Sequence, residues 1–296
     1  MDSGNQSFTA PEGSGRLSML AAAETYLERS GVADGRNHAE WLLGHVLSVA
    51  RAELYLRGDE PVSDAAAAEF AALVMRRATG EPTQYILGET EFYSLKFTCD
   101  RRALIPRPET ELLVDRALAL AKEAAGKPYS LLDLGTGSGC IAVSLAVHLP
   151  ELQIVAGDLK DSAIELARIN AKRHGVAERI EFRVSDLFSE IPESFDLIAA
   201  NLPYVPSVDR SVLQREVRDW EPAWALFAGT DGLEFLEPTI RRAPDHIWPG
   251  GHLVLEIGAG QLSAVRGLME ATSRFTDIIH VTDYQGHPRV VVARRY

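Results

Sequence analysis

The sequence predicts an α/β protein: a mostly parallel, doubly wound sheet of seven strands behind a small N-terminal helical bundle. Two observations carry this. From Ser130 onward, short apolar runs alternate with segments of helical period, the pattern of parallel strands joined by crossover helices. Before Gly80 the chain shows only helical periodicity, with no strand-like run.

The strands expected are Leu131–Leu134, Gln153–Ala156, Ile180–Val184, Asp196–Ala200, His252–Ile257, Phe275–Val281 and Arg289–Ala293. The helices between them fall at about Gly139–Leu149, Ser162–His174, Leu233–Ala243 and Gln261–Thr272. Asp161 or Ser162 is expected to cap the second of these. Only Asp283 to Pro288 separates the last two strands, too little chain for a crossover helix. That pair is therefore antiparallel, and the sheet carries one antiparallel strand at its end.

Composition narrows the class. Apolar content is ordinary for a chain that buries a core. No run approaches the ~18 apolar residues of a membrane span. Residues 1–16 are rich in Ser, Gly and Asn without an apolar centre; they read as a flexible tail, not a signal peptide. Cys99 and Cys140 match no metal or redox spacing and suit a reducing cytoplasm. The formal net charge is −12, shared by both halves of the chain, which argues against nucleic acid as a direct partner.

Residues 17–81 read as the bundle. Its helices begin at Leu17, run through Ala39–Leu47 and Ala52–Arg57, and end with an Ala-rich helix capped by Ser63 or Asp64. His38 and His45 share a helix face and read as surface or interface groups. With no cluster of catalytic residue types, this bundle is expected to recognise substrate. Residues 82–107 read as a hairpin linker, with short strands at Tyr85–Gly88 and Glu91–Thr98. The catalytic domain is then 108–296. Ile105–Glu111 leads into a helix from Glu109 to about Ala125; it is either a helix start or one wall of a pocket.

The stretch Leu131-Leu-Asp-Leu-Gly-Thr-Gly-Ser-Gly-Cys140 joins strand to helix through a glycine turn. Gly135, Thr136, Gly137, Ser138 and Gly139 bring backbone N–H groups and a helix N-terminus to whatever lies in the turn. The Gly-x-Gly-x-Gly spacing, with Asp133 ahead of it, departs from the dinucleotide fingerprint and suits S-adenosylmethionine better than NAD. Asp158 ends the second strand, 23 residues after Gly135, where a carboxylate accepts from ribose hydroxyls. Asp186 ends the third strand and is placed to accept from an exocyclic amine, with Leu187 packing on the adenine ring; the alternative for Asp186 is a surface turn.

Asn201-Leu-Pro-Tyr204 ends the fourth strand, at the edge where ligands bind in open α/β sheets. It resembles the Asn-Pro-Pro-Tyr motif of S-adenosylmethionine-dependent amino methyltransferases. With Ile105–Glu111, the glycine turn, Asp158, Asp186 and Trp220-Glu-Pro-Ala-Trp-Ala-Leu-Phe-Ala-Gly-Thr-Asp-Gly232, the chain is similar, from about Leu17 to Tyr296, to the peptide chain release factor glutamine methyltransferases. The resemblance implies a Rossmann-like S-adenosylmethionine-dependent methyltransferase domain. It also implies release factors as protein partners and the glutamine of their Gly-Gly-Gln loop as the methyl acceptor.

That chemistry fits the residues. An amide nitrogen is a poor nucleophile because its lone pair is delocalised into the carbonyl. An NH₂ group needs two acceptors. The Asn201 side-chain oxygen and the Leu202 carbonyl supply them, Pro203 keeps Leu202 extended, and Tyr204 stacks on the amide. Asn201 also borders the cofactor. No metal is required. Leu202 stands where the family pattern has its first proline, yet the carbonyl is retained. A ribosomal-protein glutamine or the exocyclic amine of a nucleic-acid base offers the same two hydrogens and is the alternative acceptor.

Overall fold

The computed structural model describes residues 8–9, 13–124 and 129–296. Most of the predicted flexible tail (1–7 and 10–12) and the predicted end of the helix near Ala125 (125–128) lie outside the described residues. Phe8, within that tail, is buried, with its ring 5.2 Å from Tyr26 and edge-on to Phe70 at 6.2 Å. Contacts group the chain up to Gly88 with Gln214–Trp220, and Glu89–Leu213 with Glu221–Tyr296.

The first unit is helical: α1 Arg16–Arg29, α2 Gly35–Leu47, α3 Arg51–Leu56, α4 Asp64–Ala78 and α5 Thr83–Leu87. The apolar stripes of α1, α2 and α4 close on one core containing Leu20, Leu27, Leu42, Leu43, Phe70 and Val74. Ser63 caps α4, its side chain accepting from the Ala66 N–H at 3.3 Å. Tyr85–Gly88, expected as a strand, lies instead in and just after the single turn of α5. Pro82 starts that turn and Gly88, at φ +73°, ends it. His45 is exposed, but His38 is half-buried, with Nδ1 2.8 Å from Thr83 Oγ1. Burial and the nearby Arg77 push His38 down to about 4, so it stays neutral. A short helix, α9 (Arg215–Trp220), belongs to this unit, and its Glu216 pairs with the buried Arg77.

The second unit begins with an antiparallel hairpin, β1 Glu89–Phe92 and β2 Leu95–Thr98. Phe92 and Phe97 are fully packed into the core of the sheet unit, so the hairpin is part of that unit. A 3₁₀ turn, Pro108–Thr110, feeds α6 (Glu111–Glu123). Then follow β3 Ser130–Leu134, α7 Cys140–His148, β4 Gln153–Asp158, α8 Asp161–Arg173, β5 Ile180–Val184 and β6 Phe195–Ala200. The chain finishes with α10 Leu236–Arg242, β7 Ile247–Glu256, α11 Leu262–Ala271, β8 Phe275–Thr282 and β9 Pro288–Arg295. No side chain caps α8; Asp158 reaches forward to the Lys160 N–H instead of Asp161 or Ser162 reaching back.

The seven strands lie in the order β5-β4-β3-β6-β7-β9-β8. All are parallel except β9, which runs antiparallel to both neighbours. The antiparallel strand is thus last in the chain but not at the sheet edge: it inserts between β7 and β8. Strand order reverses about β3, whose neighbours are β4 and β6. The carboxyl ends of these central strands form the crevice expected at such a switch point. Gly135, Asp158, Asn201 and Ile257 follow directly on β3, β4, β6 and β7 or end them. No described helix is long and apolar enough to cross a membrane.

Candidate active site

A cavity of about 190 Å³ opens at this edge of the sheet. It is lined by Gly135, Gly137, Asp158, Asp186, Leu187, Asn201, Leu202 and Pro203, which come from four separate strand ends. Four side chains to which the sequence assigned no role, two of them within the quoted Trp220–Gly232 stretch, add to its apolar wall: Leu104, Trp224, Phe227 and Phe235. Lys160 lies at the rim, its Nζ 5.7 Å from the centre of the Trp224 ring. A wider depression of about 700 Å³ sits at the opposite edge, beside the strand starts Ser130, Gln153, Ile180 and Phe195, and holds none of the motif residues.

The glycine turn is built by hydrogen bonds around it. The N–H groups of Gly135 and Thr136 both donate to the Gly157 carbonyl, at 2.8 and 2.9 Å. Gly135 has φ +77°, and a Cβ there would meet Leu202 Cδ2 at 2.7 Å. Leu202 is therefore more than a carbonyl with an altered side chain. It is 5% exposed and fills the space that glycine leaves, locking the two motifs together. Gly139 serves packing: a Cβ would lie 3.0 Å from that of Ala167 on α8.

Thr136 and Ser138 do not line the cavity. Thr136 Oγ1 donates to Asp133 Oδ2 at 2.6 Å, and the Ser138 carbonyl accepts from Asn170 Nδ2 at 2.9 Å. Asn170 also bridges both backbone groups of Thr98, tying β2 and α8 to the turn. Asp133 is fully buried, and desolvation pushes its carboxyl up to about 7 against the bonds from Thr136 and the Ala142 N–H. Burial and the Asp133 charge push the Cys140 thiol to about 12, which removes it as a nucleophile.

Asp158 is 7% exposed. Its Oδ2 accepts from the Gly137 N–H and its Oδ1 from the Lys160 N–H, each at 2.9 Å. Burial raises its pKa while these bonds oppose the rise. Each carboxylate oxygen has lone pairs left for a ligand hydroxyl. Asp186 is exposed. Leu187 holds φ +49°, a strained setting for a branched side chain, and Ser185 Oγ secures it by donating to the Leu187 carbonyl at 2.8 Å.

Asn201 is half-buried, and its Nδ2 donates to Thr110 Oγ1 at 3.0 Å. Thr110 comes from the Ile105–Glu111 stretch, so that stretch is both a helix start and a support for the site. It is held in turn by Glu221, which accepts from the Ile105 N–H at 3.1 Å and pairs with Arg107. Tyr204 is expected to stack on the substrate amide. It does not line the cavity; its ring packs against the core and its OH donates to Glu256 Oε1 at 3.2 Å. Its carbonyl accepts from Gln261 Nε2 at 3.1 Å. Gly232 supports the same turn, since a Cβ there would meet the Tyr204 carbonyl oxygen at 2.3 Å. Thr110 and Glu256 were legible as a hydroxyl inside a quoted motif and a carboxylate inside an apolar strand; the sequence reading assigns neither a role.

Comparison with known proteins identifies the family. A family model described as PrmC N-terminal domain matches residues 18–88, and one described as methyltransferase small domain matches residues 109–219. A release factor glutamine methyltransferase from Geobacter sulfurreducens is 43% identical over 270 residues, 91% of this chain and 93% of the relative. Another, from Cereibacter sphaeroides, is 42% identical over 93% of this chain and 96% of its own. Among solved structures, the hMettl16 catalytic domain in complex with MAT2A 3'UTR hairpin 6 shares the fold. It has a TM-score of 0.54 at 16% identity, covering 76% of this chain and 82% of that one. This chain belongs to the release factor glutamine methyltransferase family.

Proposed function

We propose that the protein transfers a methyl group from S-adenosylmethionine to the side-chain amide nitrogen of the glutamine in the Gly-Gly-Gln loop of peptide chain release factors. The observation that carries this reading is the sense of the Asn201 carboxamide. Its NH₂ is engaged by Thr110. Its oxygen is left as an acceptor at a cavity that Asn201 itself lines. With the Leu202 carbonyl, that oxygen takes both hydrogens of a substrate NH₂ and holds its lone pair out of conjugation.

The residues present fit the cofactor. Gly135 and Gly137 line the cavity with no side chain between backbone and ligand. Asp158 and Asp186 offer carboxylates for ribose hydroxyls and an exocyclic amine, and Leu187, Phe227 and Phe235 offer apolar surface for a ring. When bound, S-adenosylmethionine supplies an activated methyl group. Gly135, Gly137, Asp158, Asp186 and Leu187 would hold it, while Asn201 and Leu202 position the acceptor and Tyr204 stiffens the turn from behind. Transfer needs no strong base, because the proton leaves after the nitrogen has become cationic. The helical unit, residues 17–81, is the part we assign to gripping the release factor.

The test is incubation with labelled S-adenosylmethionine and, separately, purified release factor, ribosomal protein L3 and DNA. Label is expected on the release factor alone, at the Gly-Gly-Gln glutamine by peptide mass spectrometry. Label on DNA alone would replace this reading with base methylation. Asp158→Ala is expected to weaken cofactor binding by about 10-fold or more, because a charge-assisted acceptor and a brace on Gly137 are lost together. Calorimetry with S-adenosylmethionine measures this; unchanged affinity would reduce Asp158 to a turn residue.

A further inference from the structure

The cavity residues divide the carboxyl edge of the sheet. Gly135 lies just past β3, Asp158 ends β4 and Asp186 lies just past β5, all on one side of Asn201. On the other side lie β7 and β9. With the cofactor over the first half, a protein that brings its glutamine to Asn201 rests on the second half and on the chain leaving β6. The two glycines before that glutamine offer no side chain to grip. Selecting this glutamine over others therefore falls to the surface around the loop.

Two segments stand there. The first, the 3₁₀ segment Ser207–Val212, begins three residues after Tyr204. The Val205 N–H donates to the Leu226 carbonyl at 2.9 Å and the Ser207 N–H to the Gly229 carbonyl at 2.8 Å, which fixes its start. The Arg210 guanidinium lies 5.5 Å from the centre of the Phe227 ring, part of the cavity wall. The second is the β8–β9 turn. Because β9 runs antiparallel to β7, with Val290 beside Glu256, this turn sits at the carboxyl end of β7. Asp283 holds it: Oδ1 accepts from the Gln285 and His287 N–H groups at 2.9 Å each, and Oδ2 from Arg289 Nε at 2.8 Å. Only β7 separates β9 from β6. That is about 10 Å across the sheet, inside the ~800 Å² that each partner buries in a standard interface.

Apart from the final residue, Tyr296, the three most exposed large apolar side chains described in the sheet unit belong to these segments. Tyr284 is fully exposed, Val212 is 77% exposed and Val208 69%. Single apolar groups are ordinary on a surface, but their concentration at the mouth of a crevice marks an interaction site. Both backbones are tied down before any partner arrives, so binding costs little further ordering. We propose that Val208, Val212 and Tyr284 form a docking surface for the folded body of the release factor, beside the loop that delivers the glutamine. The surface they meet on that partner is apolar. The proposal rests on the reading of the release factor as methyl acceptor.

The experiment measures methylation of intact release factor by the wild-type enzyme, Tyr284→Ala, the double variant Val208→Ser with Val212→Ser, and Trp248→Ala. KM for release factor is expected to rise about 10-fold for Tyr284→Ala and about 10-fold for the double variant, the scale of an interface hot spot. Their kcat and their affinity for S-adenosylmethionine should stay within about two-fold. Combining all three substitutions should raise KM about 100-fold, because the two segments meet the partner at separate points. Trp248 is 54% exposed but lies at the opposite edge, where β7 begins beside Phe195. Trp248→Ala should leave KM unchanged. In the wild-type protein, amide hydrogen exchange across residues 207–212 and 284–287 should slow when release factor is added; this needs no substitution to read. Wild-type KM in both docking variants, an equal rise in Trp248→Ala, or exchange that ignores release factor overturns the proposal. So does a wild-type dimer in sedimentation that Tyr284→Ala dissolves, which would make the surface a contact between copies of this chain. A wild-type enzyme that leaves release factor unlabelled overturns the functional reading instead.

Discussion

Asn201→Ala is expected to lower methyl transfer by about 1000-fold while S-adenosylmethionine affinity changes by less than about three-fold. The split follows from what the side chain touches. Asn201 borders the cavity, but its one hydrogen bond among the described residues goes to Thr110, not to the glycine turn. Removing it leaves the cofactor cradle intact and deletes one of two acceptors for the substrate NH₂. The Leu202 carbonyl alone cannot keep the nitrogen lone pair aimed, because one hydrogen bond leaves the amide free to rotate about it. Asn201→Asp sharpens the test. An aspartate keeps an acceptor oxygen but cannot donate to Thr110. It should therefore fail nearly as badly, because the Thr110 contact re-forms only with a carboxylate oxygen as acceptor, which draws that oxygen away from the substrate NH₂. Single-turnover rates with saturating cofactor, alongside calorimetric affinities, measure both. If either variant turned over at the wild-type rate, Asn201 would have no part in catalysis.

The parts of this site that were legible in the sequence are those whose chemistry is local. Gly135, Asp158 and Asn201 each follow or end an apolar run, and strand ends in an open parallel sheet converge by topology alone. Their meeting at one cavity needed no side-chain detail. What escaped depended on partners far away in the chain. Thr110 reads as a helix-start residue until Asn201, 91 positions later, is seen to donate to it. Glu256 is a carboxylate inside an apolar strand to which the sequence assigns no role; only the fold shows it buried against Tyr204. Tyr204 is expected to stack on the amide from its aromatic ring alone; that its hydroxyl is tied to Glu256 shows only in the fold. Leu202 seemed a simple loss of proline until its side chain was found against Gly135. The strand expected at Tyr85–Gly88 failed for a different reason. Its aromatic and branched residues favour a strand, but Pro82 and Gly88 are helix boundary signals, and they decide the outcome over so short a segment.

Glu256→Gln is expected to make the protein more stable, and only on the alkaline side. The folded-state carboxyl sits at about 7 against an ordinary value of 4.5. The folded protein therefore holds this proton more tightly than the unfolded chain. Below the ordinary value both states are protonated, and the preference is fully present. As pH rises toward the folded value it is lost, a change on the order of 3 kcal/mol. Other groups titrate in this window: Asp133 acts in the same sense, while His38, pushed down to about 4, acts in the opposite one. They are common to both proteins, so the difference between variant and wild type isolates Glu256. That difference in Tm should be near zero at about pH 5 and reach about +5 °C at about pH 8. Asp133→Asn tests the same logic at a residue with different neighbours: its Oδ1 is likewise buried without a partner. A Glu256→Gln protein that melts lower than wild type at every pH would mean that the carboxylate is a structural hub for the Tyr204 hydroxyl. A variant that gains stability while losing turnover has the opposite meaning. Its charge is then retained against the preference of the fold, and the benefit lies in the Tyr204 side chain that it holds behind the Asn201–Tyr204 turn.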